Sequence, residues 1–430
     1  MAKPGGRITQ VFDLAAEREG TFRFLENDDV PTAAIRAAAT RAAARRAAEH
    51  EYVFVPADGT SLSIKDLSGG KGLGVIGSRR VGATGLQVMT AIAVAPDGTP
   101  LGLCSQRYWT RTERSTAVDE KRDNRPLAEK ETRYWLEVLE ETREVFATEA
   151  SSTWPWFQLD RGGDAGAVLL DAVGFSDKAW LTVRAAYDRR LVDRDPGDHL
   201  LSRVAEQEPA GFYDLDMPAG KNRTARKANI QLRFASIAVG VAIPEVGRAP
   251  VPLWVVVATE VDTTPPGESP IEWRLYTTHP VASVADAALV VFGYSQRWRI
   301  EQFHNMWKTG ACHVEDTQLQ DLDHILRWAT ILSSVALRIL RLTYISRVAP
   351  NVPATAELRP VEIEAVILLR RPQKIRRRGI PPLGSVVRWI ADLGGYTGKS
   401  SGGPPGARVI ARGLARIEPI VEVLLRGQKM

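Results

Sequence analysis

Two rhythms of hydrophobic and polar positions divide this chain. Between residues 51 and 111, and again from about 200 to 280, apolar residues come in short runs or alternate with polar ones. The runs "EYVFVPADGTSLSI", "LQVMTAIAVAPDGTPLGLCSQRYW", "NIQLRFASIAVGVAI", "PVPLWVVVATEV" and "IEWRLYTT" are rich in β-branched and aromatic residues and predict strands. Pro96-Asp97-Gly98 predicts a hairpin turn within the second of them. Residues 31 to 49 are rich in Ala and Arg and predict a helix, its arginines spread around the axis as a solvated face or as phosphate contacts. Residues 127 to 147 predict a charged amphipathic helix. "PWFQLDRGGDAGAVLLDAV" predicts a short strand, a glycine turn at 162 and 163 and a helix, and "AWLTVRAA" a further strand. The stretch from 294 and the long apolar segment running to about 347 predict helices. Arg327, Arg338 and Arg341 interrupt the latter, so it reads as a buried helix and not a membrane span. Residues 358 to 430 predict a helical tail with a basic loop, "RRPQKIRRRG", and a loop "GKSSGGPPG". No internal repeat is present.

The segment "YSQRWRIEQFHNMWKTG" carries an unusual face. On a helix advancing about 100° per residue, Tyr294, Arg297, Glu301 and Lys308 fall within an arc of about 60°, with Ile300, Phe303 and Trp307 near the opposite side. One acid, two cations and a phenol are thereby grouped. The plain reading is a solvated face with an Arg297–Glu301 pair one turn apart. Two aspartates share a second pattern: Asp58 follows "YVFVPA" and Asp160 follows "WFQL", each closing an apolar run before a glycine-containing turn. That predicts each carboxylate at the C-terminal end of a strand, where open α/β sheets place ligands. If the strands are neighbours, the two acids converge, and Glu301 completes the set.

Three carboxylates in one cleft repel unless a cation neutralises them. Mg²⁺ takes oxygen ligands, and two such ions about 3.5–4 Å apart activate an attacking hydroxyl and stabilise a leaving oxygen. No His/Cys cluster competes for a softer metal. The alternative is that Asp58 caps a turn, Asp160 pairs with Arg161 and Glu301 pairs with Arg297. Arg297 and Lys308 would compete with a free ion for Glu301, yet they suit a substrate that brings phosphates. Tyr294 can donate a hydrogen bond to a phosphate oxygen.

Composition narrows the setting. A chain of 430 residues, 44% hydrophobic and 25% charged, has the make-up of a soluble globular protein of two or three domains. A net charge of +5 permits a nucleic-acid partner without demanding one. Cys104 and Cys312 give neither a disulfide framework nor a zinc-finger spacing, which points to reduced thiols. The opening "MAKPGGRITQVFDLAAEREG" has no apolar h-region, so no signal peptide is expected. A cytoplasmic location without a membrane partner follows as the expectation.

With these residues in view, the chain resembles the DDE transposases of bacterial insertion sequences, in the "IS-four" branch that includes the cut-and-paste transposase of a composite transposon. Tyr294, Arg297, Glu301 and Lys308 stand at the spacing of that branch's YREK motif, "DGTSLS" from Asp58 resembles its first catalytic segment, and "DRGGD" from Asp160 its second. The resemblance runs from about residue 17 to the C-terminus. It implies an α/β protein with an RNase H-like catalytic core, a mixed sheet flanked by helices, with a β-rich insertion and a helical C-terminal region. The implied division is a truncated N-terminal DNA-binding region (1–50), the core (51–347, with its insertion at about 190–285) and a C-terminal dimerisation region (348–430).

The resemblance also implies chemistry and partners. Asp58, Asp160 and Glu301 would be the catalytic residues and the ligands of two Mg²⁺ ions, for which Mn²⁺ can substitute. Water attack frees a 3′-hydroxyl at the transposon end; that hydroxyl forms a hairpin, the hairpin reopens, and the ends join target DNA. Double-stranded DNA is the implied partner, bound by a homodimer in a synaptic complex. Trp273 stands where the family stacks an aromatic on a flipped base, although a strand-edge core Trp fits as well. Tyr294, Arg297 and Lys308 would hold phosphates near that base, and Arg184 resembles an arginine near the active site. Lys221, Arg223, Arg226 and Lys227 form a basic cluster that reads as DNA-backbone contacts or as a solvated loop. The front departs from the family: only about 50 residues precede the first catalytic strand, where members carry a longer end-recognition domain. The alternative function is an N-terminally shortened, non-transposing DNA-binding or dimerising inhibitor.

Overall fold

The computed structural model describes residues 4–77, 83–111, 126–175, 178–192, 199–217, 223–243, 246–370, 379–398 and 403–427. Its strands are β1 (Tyr52–Ser63), β2 (Gly74–Val75), β3 (Thr84–Val94), β4 (Pro100–Trp109), β5 (Trp154–Leu159), β6 (Trp180–Arg184), β7 (Gly211–Met217), β8 (Arg226–Ile243), β9 (Gly247–Glu260) and β10 (Glu272–Thr277). Its helices are α1 (Ile8–Val11), α2 (Ala15–Glu26), α3 (Thr32–Ala47), α4 (Thr132–Glu149), α5 (Gly166–Val173), α6 (Leu200–Ala205), α7 (Val284–Ser295), α8 (Trp298–Asn305), α9 (Leu322–Val348), α10 (Pro360–Arg370), α11 (Leu383–Leu393) and α12 (Ala407–Gly427).

All the strands join one mixed sheet in the order β2-β3-β1-β5-β6-β10-β9-β8-β7, with β4 also paired to β3. β5 runs parallel to both β1 and β6, and the remaining pairings are antiparallel. A mixed sheet of this kind, covered by helices on both faces, is the α/β architecture expected of an RNase H-like core. The long strands β8 and β9 continue the core sheet through β10.

Side-chain alternation sorts the strands' apolar residues onto two faces. Phe54 on β1 and Trp156 on β5 lie in one core with Val290 and Val291 of α7, Ile300 and Phe303 of α8, and the buried residues of α9 to α12. Val53, Val55 and Ala57, with Phe157 and Leu159, lie in the other core with Val138, Leu139 and Phe146 of α4 and Val168 and Leu169 of α5. The hairpin turn falls at Pro96-Asp97-Gly98, where Gly98 takes φ +88°, a conformation that favours glycine.

α9 is the buried helix expected, and its arginines are accommodated by partners. Arg327 donates to the Leu25 carbonyl, Arg338 engages the fully buried Glu362 at 2.9 Å, and Arg341 engages Glu357 at 2.7 Å. Three of the four arginines of α3 also have partners that neither sequence reading foresaw. Arg36 bonds Glu141 at 3.0 Å, Arg45 bonds Glu149 at 2.8 Å and Arg46 donates to the Leu101 carbonyl at 3.1 Å. These three tie α3 to α4 and β4, so they form neither a purely solvated face nor a free phosphate surface. Most of the basic loop "RRPQKIRRRG" and part of "GKSSGGPPG" lie outside the described residues.

Candidate active site

Register brings the two aspartates together. The β1–β5 pairing ends at Ala57 opposite Leu159, so Asp58 and Asp160 are the next residues on two neighbouring parallel strands. Ala57 and Leu159 face the α4–α5 core. The following residues therefore turn to the other face, toward α7 and α8. Asp160 leaves its strand extended and caps the turn Arg161–Gly163, accepting from the Gly162 N–H at 2.8 Å. Asp58 differs from expectation. No turn follows it, because β1 continues to Ser63, paired with β3 across Asp58↔Thr90 and Gly59↔Met89. Asp58 thus marks the end of the parallel ladder, not the end of its strand. Glycine at 59 is tolerated because the antiparallel partner holds the backbone.

Glu301 completes the group from α8, through Arg297. One guanidinium nitrogen of Arg297 donates to Asp58 Oδ2 at 3.3 Å and another to Glu301 Oε1 at 3.3 Å. The exposure rises along this line, from 14% for the Arg297 side chain and 17% for Asp58 to 43% for Glu301. Burial, with the Asp160 charge next to it, pushes the Asp58 carboxyl up to about 7; Arg297 opposes this and Glu301 adds to it. Burial also works against the Arg297 charge, but Tyr294, Asp58, Glu301 and Asp160 outweigh it and hold its pKa above the ordinary value. Three acids and one guanidinium therefore act on one another electrostatically.

The helix carrying this group is not continuous. α7 ends at Ser295, and bonds from Arg297 N to Tyr294 O (3.0 Å), Arg299 N to Gln296 O (2.9 Å) and Ile300 N to Arg297 O (3.1 Å) tighten the junction to three-residue spacing before α8 proceeds. After α8 the helix widens into a π-turn, Met306–Gly310, closed by Ala311 N to Met306 O at 3.0 Å. A Cβ on Gly310 would come within 2.9 Å of Met306 Sδ and 3.0 Å of the Asn305 carbonyl, so the closure depends on glycine. Lys308 rides on the π-turn and reaches β1 beyond Asp58, donating to the Ser61 carbonyl at 2.6 Å and to Thr60 Oγ1 at 3.4 Å, with Glu315 at 3.5 Å.

The other predicted residues border the same group. Tyr294 is buried, and its ring meets Trp273 edge-on with centroids 5.0 Å apart. Burial pushes its phenol up, against the pull of Arg297 and Arg184. Arg184 donates to the Glu272 carbonyl at 3.1 Å, and so bridges β6 to β10. Trp273 is half-buried on β10, opposite Ala258 of β9 and just before the β10–β6 pairing begins at Leu275.

Three neighbours escaped the sequence reading. Trp298 is 42% exposed, with the guanidinium carbons of Arg223 and Arg297 at 5.9 and 6.0 Å from its ring. Its helical phase falls near the polar arc, which was the available signal. Glu315 accepts from the Ser63 N–H at 2.8 Å as well as facing Lys308, a contact over a sequence distance that no periodicity reports. His304 is buried one turn after Glu301, and burial together with Lys308 and Arg297 pushes its pKa down to about 3.

The basic cluster separates. Arg226 is largely buried at its side chain and is bonded to Glu260 at 2.7 and 2.9 Å and to Glu268 at 2.7 Å. Lys227 faces Asp214 at 3.8 Å on the surface. Lys221 lies outside the described residues.

The donor chemistry is that of a hard divalent ion: Asp58 and Asp160 follow adjacent positions of two parallel strands, Glu301 is linked to Asp58 through Arg297, and burial with the Asp160 charge pushes Asp58 up to about 7. Among the described residues, however, no group of three or more His, Cys, Asp or Glu side chains is drawn close enough to hold a metal ion. The space between Asp58 and Glu301 is spanned by Arg297.

Beyond the core, α10, α11 and α12 pack on one another and on the end of α9, burying Val366, Ile390, Leu414 and Ile417. Residues 334–428 match the family model described as the Transposase Tn5 dimerisation domain, which takes in the second half of α9 and all of α10 to α12. No helix among the described residues is long and apolar enough to cross a membrane.

Proposed function

We propose that this chain is a DDE transposase that cleaves DNA and transfers its strands in a divalent-metal-dependent reaction, as a homodimer, with cut-and-paste transposition through a hairpin intermediate. The observation that carries the reading is the placement of Asp58 and Asp160 on adjacent parallel strands, electrostatically joined to Glu301, in a chain whose C-terminal helices match a transposase dimerisation domain. Asp58, Asp160 and Glu301 are the proposed ligands of two Mg²⁺ ions. When bound, such ions stabilise the attacking and leaving oxygens of an in-line phosphoryl transfer. Asp58 has to give up its proton before it can serve as a ligand.

The chain's own residues do the positioning. Arg297 and Lys308 can exchange their present oxygen partners for phosphate oxygens, a substitution that keeps each cation paired. Tyr294, packed edge-on against Trp273, favours the Arg297 charge beside it. Trp273 and the more exposed Trp298 offer aromatic surface for an unstacked base. Residues 1–50 are assigned to DNA binding, 51–347 to catalysis and 348–430 to subunit pairing. Leu368, Leu369, Val423 and Leu425, exposed apolar residues of α10 and α12, are available to a second copy. The place of action is the cytoplasm.

The test is cleavage of duplex DNA carrying the inverted repeats that flank the gene, with Mg²⁺ or Mn²⁺. Nicking at the repeat ends that disappears in Glu301→Gln is the expected result. Stable binding or heterodimer formation without nicking would instead favour a non-transposing inhibitor, a reading to which the match in the dimerisation region is equally suited. Trp273→Ala should lower hairpin formation roughly ten- to a hundred-fold, the worth of one stacked base, while leaving the first nick near wild type. Equal loss at both steps, measured on denaturing gels, would remove Trp273 from a flipped-base role.

A further inference from the structure

Three of the more buried arginine pairs in this protein are short. Arg226 meets Glu260 at 2.7 Å, Arg189 meets the buried Asp164 at 2.7 Å and Arg341 meets Glu357 at 2.7 Å. These are the distances of settled charge-assisted hydrogen bonds. Arg297, buried to a similar degree, makes two longer contacts, to Asp58 and Glu301, both 3.3 Å, and like Arg107 between Glu137 and Glu141 it is divided between two acids. It is shared between two acids from different elements and is tight on neither. Tyr294 and Asp160 add to the field that favours the charge of this guanidinium. It therefore supplies positive charge in the space between Asp58 and Glu301, as a bound cation would. Lys308, the other cation of the site, is held more closely, by the Ser61 carbonyl at 2.6 Å, with Glu315 at 3.5 Å.

We propose that Arg297 is an internal counter-cation that lowers the affinity of the three acids for divalent metal until DNA phosphate draws its guanidinium away. The inference rests on the proposed metal role of Asp58, Asp160 and Glu301 and adds an order to it: phosphate first, full metal affinity second. A guanidinium bonded to two of the three acids has to be displaced or repelled by an incoming ion. A phosphate gives the guanidinium a better partner than two stretched carboxylate contacts. Linkage then requires that phosphate and metal each raise the other's affinity. The consequence is protective, because a chain without DNA does not carry a fully loaded hydrolytic centre.

The experiment is a titration of Mn²⁺ into the DNA-free full-length protein, with free ion followed by electron paramagnetic resonance and folding checked by thermal melts. Arg297→Gln should bind Mn²⁺ roughly ten- to a hundred-fold more tightly than wild type, the scale expected from removing a unit charge at this range near a protein surface. Arg297→Lys, which retains the charge, should stay close to wild type. The double variant Arg297→Gln/Glu301→Gln should lose the gain. If Arg297→Gln binds no more tightly while wild-type binding still depends on Glu301, the counter-cation role is overturned and the metal centre stands. If Arg297→Lys shows the same gain as Arg297→Gln, charge competition is overturned. If no variant shows Mn²⁺ binding that depends on Asp58, Asp160 or Glu301, the metal reading fails and this inference with it.

Discussion

Asp58→Asn abolishes DNA strand cleavage, a loss on the order of a thousand-fold or more, and at the same time raises the melting temperature of the metal-free protein at pH 8. Both effects come from one arrangement. An amide cannot replace the anionic oxygen that a hard divalent ion requires, so the chemical step loses a ligand. The stability gain follows from the carboxyl's own position, where burial and the Asp160 charge push it up to about 7.

The sign is worked out by comparing folded and unfolded chains. An unfolded aspartate loses its proton near the ordinary value of 3.8, whereas the folded Asp58 keeps it to about 7. Between those values the folded state binds more protons, so stability falls as pH rises through the window. Above about pH 7 the penalty is complete, with an upper bound of about 4 kcal/mol. Asparagine has no such penalty. The melting temperatures of Asp58→Asn and wild type in EDTA should therefore agree near pH 4 and diverge by a few °C by pH 8. Asp160→Asn and Glu301→Gln should also abolish cleavage. Near-normal nicking by any of the three would remove that residue from the ligand set, and a melting difference independent of pH would mean that the acids do not share a field.

The second large effect lies outside the site. Arg226→Met should destabilise the fold by about 3–5 kcal/mol, the range for breaking one side of a buried ion pair. Glu260 is fully buried; besides Arg226, it accepts from the Ile271 N–H and the Thr263 hydroxyl, each at 3.0 Å. The hydrogen bonds from Arg226 hold its carboxyl down to about 2 against the effect of burial. A depressed carboxylate contributes stability that is complete above its unfolded value near 4.5 and is lost as pH falls toward 2. Urea unfolding of Arg226→Met should show the loss at neutral pH and a smaller difference from wild type near pH 2. Its DNA affinity, compared under conditions where both proteins are folded, should change little. The opposite result, unchanged unfolding and weakened DNA binding, would return Arg226 to the surface cluster that its neighbours in sequence suggest.

Much of the fold was legible because its signals are local. β3 and β4, with the turn at Pro96–Gly98, follow from alternation and turn residues, and α9 follows from its apolar length. The grouping of Tyr294, Arg297, Glu301 and Lys308 was legible in part. Arg297 and Glu301 do pair one turn apart, but the tightened junction at Gln296 and the π-turn at Met306–Gly310 depart from a regular helix. Those departures depend on packing and on Gly310, which a fixed angle per residue cannot express.

By itself the sequence determined which residues could carry the chemistry: it placed Asp58 and Asp160 after their apolar runs, at the ends of strands. It did not determine that β1 and β5 are neighbours, that Asp58 lies within a strand, or that Arg226 is buried while Lys227 is on the surface. Only the tertiary structure decided these, because strand order, desolvation and the partners of a long cationic side chain depend on residues distant in the chain. The same reason explains Asp58's raised pKa and Arg297's shared contacts: both arise where three separate segments meet and their charges are forced to balance one another.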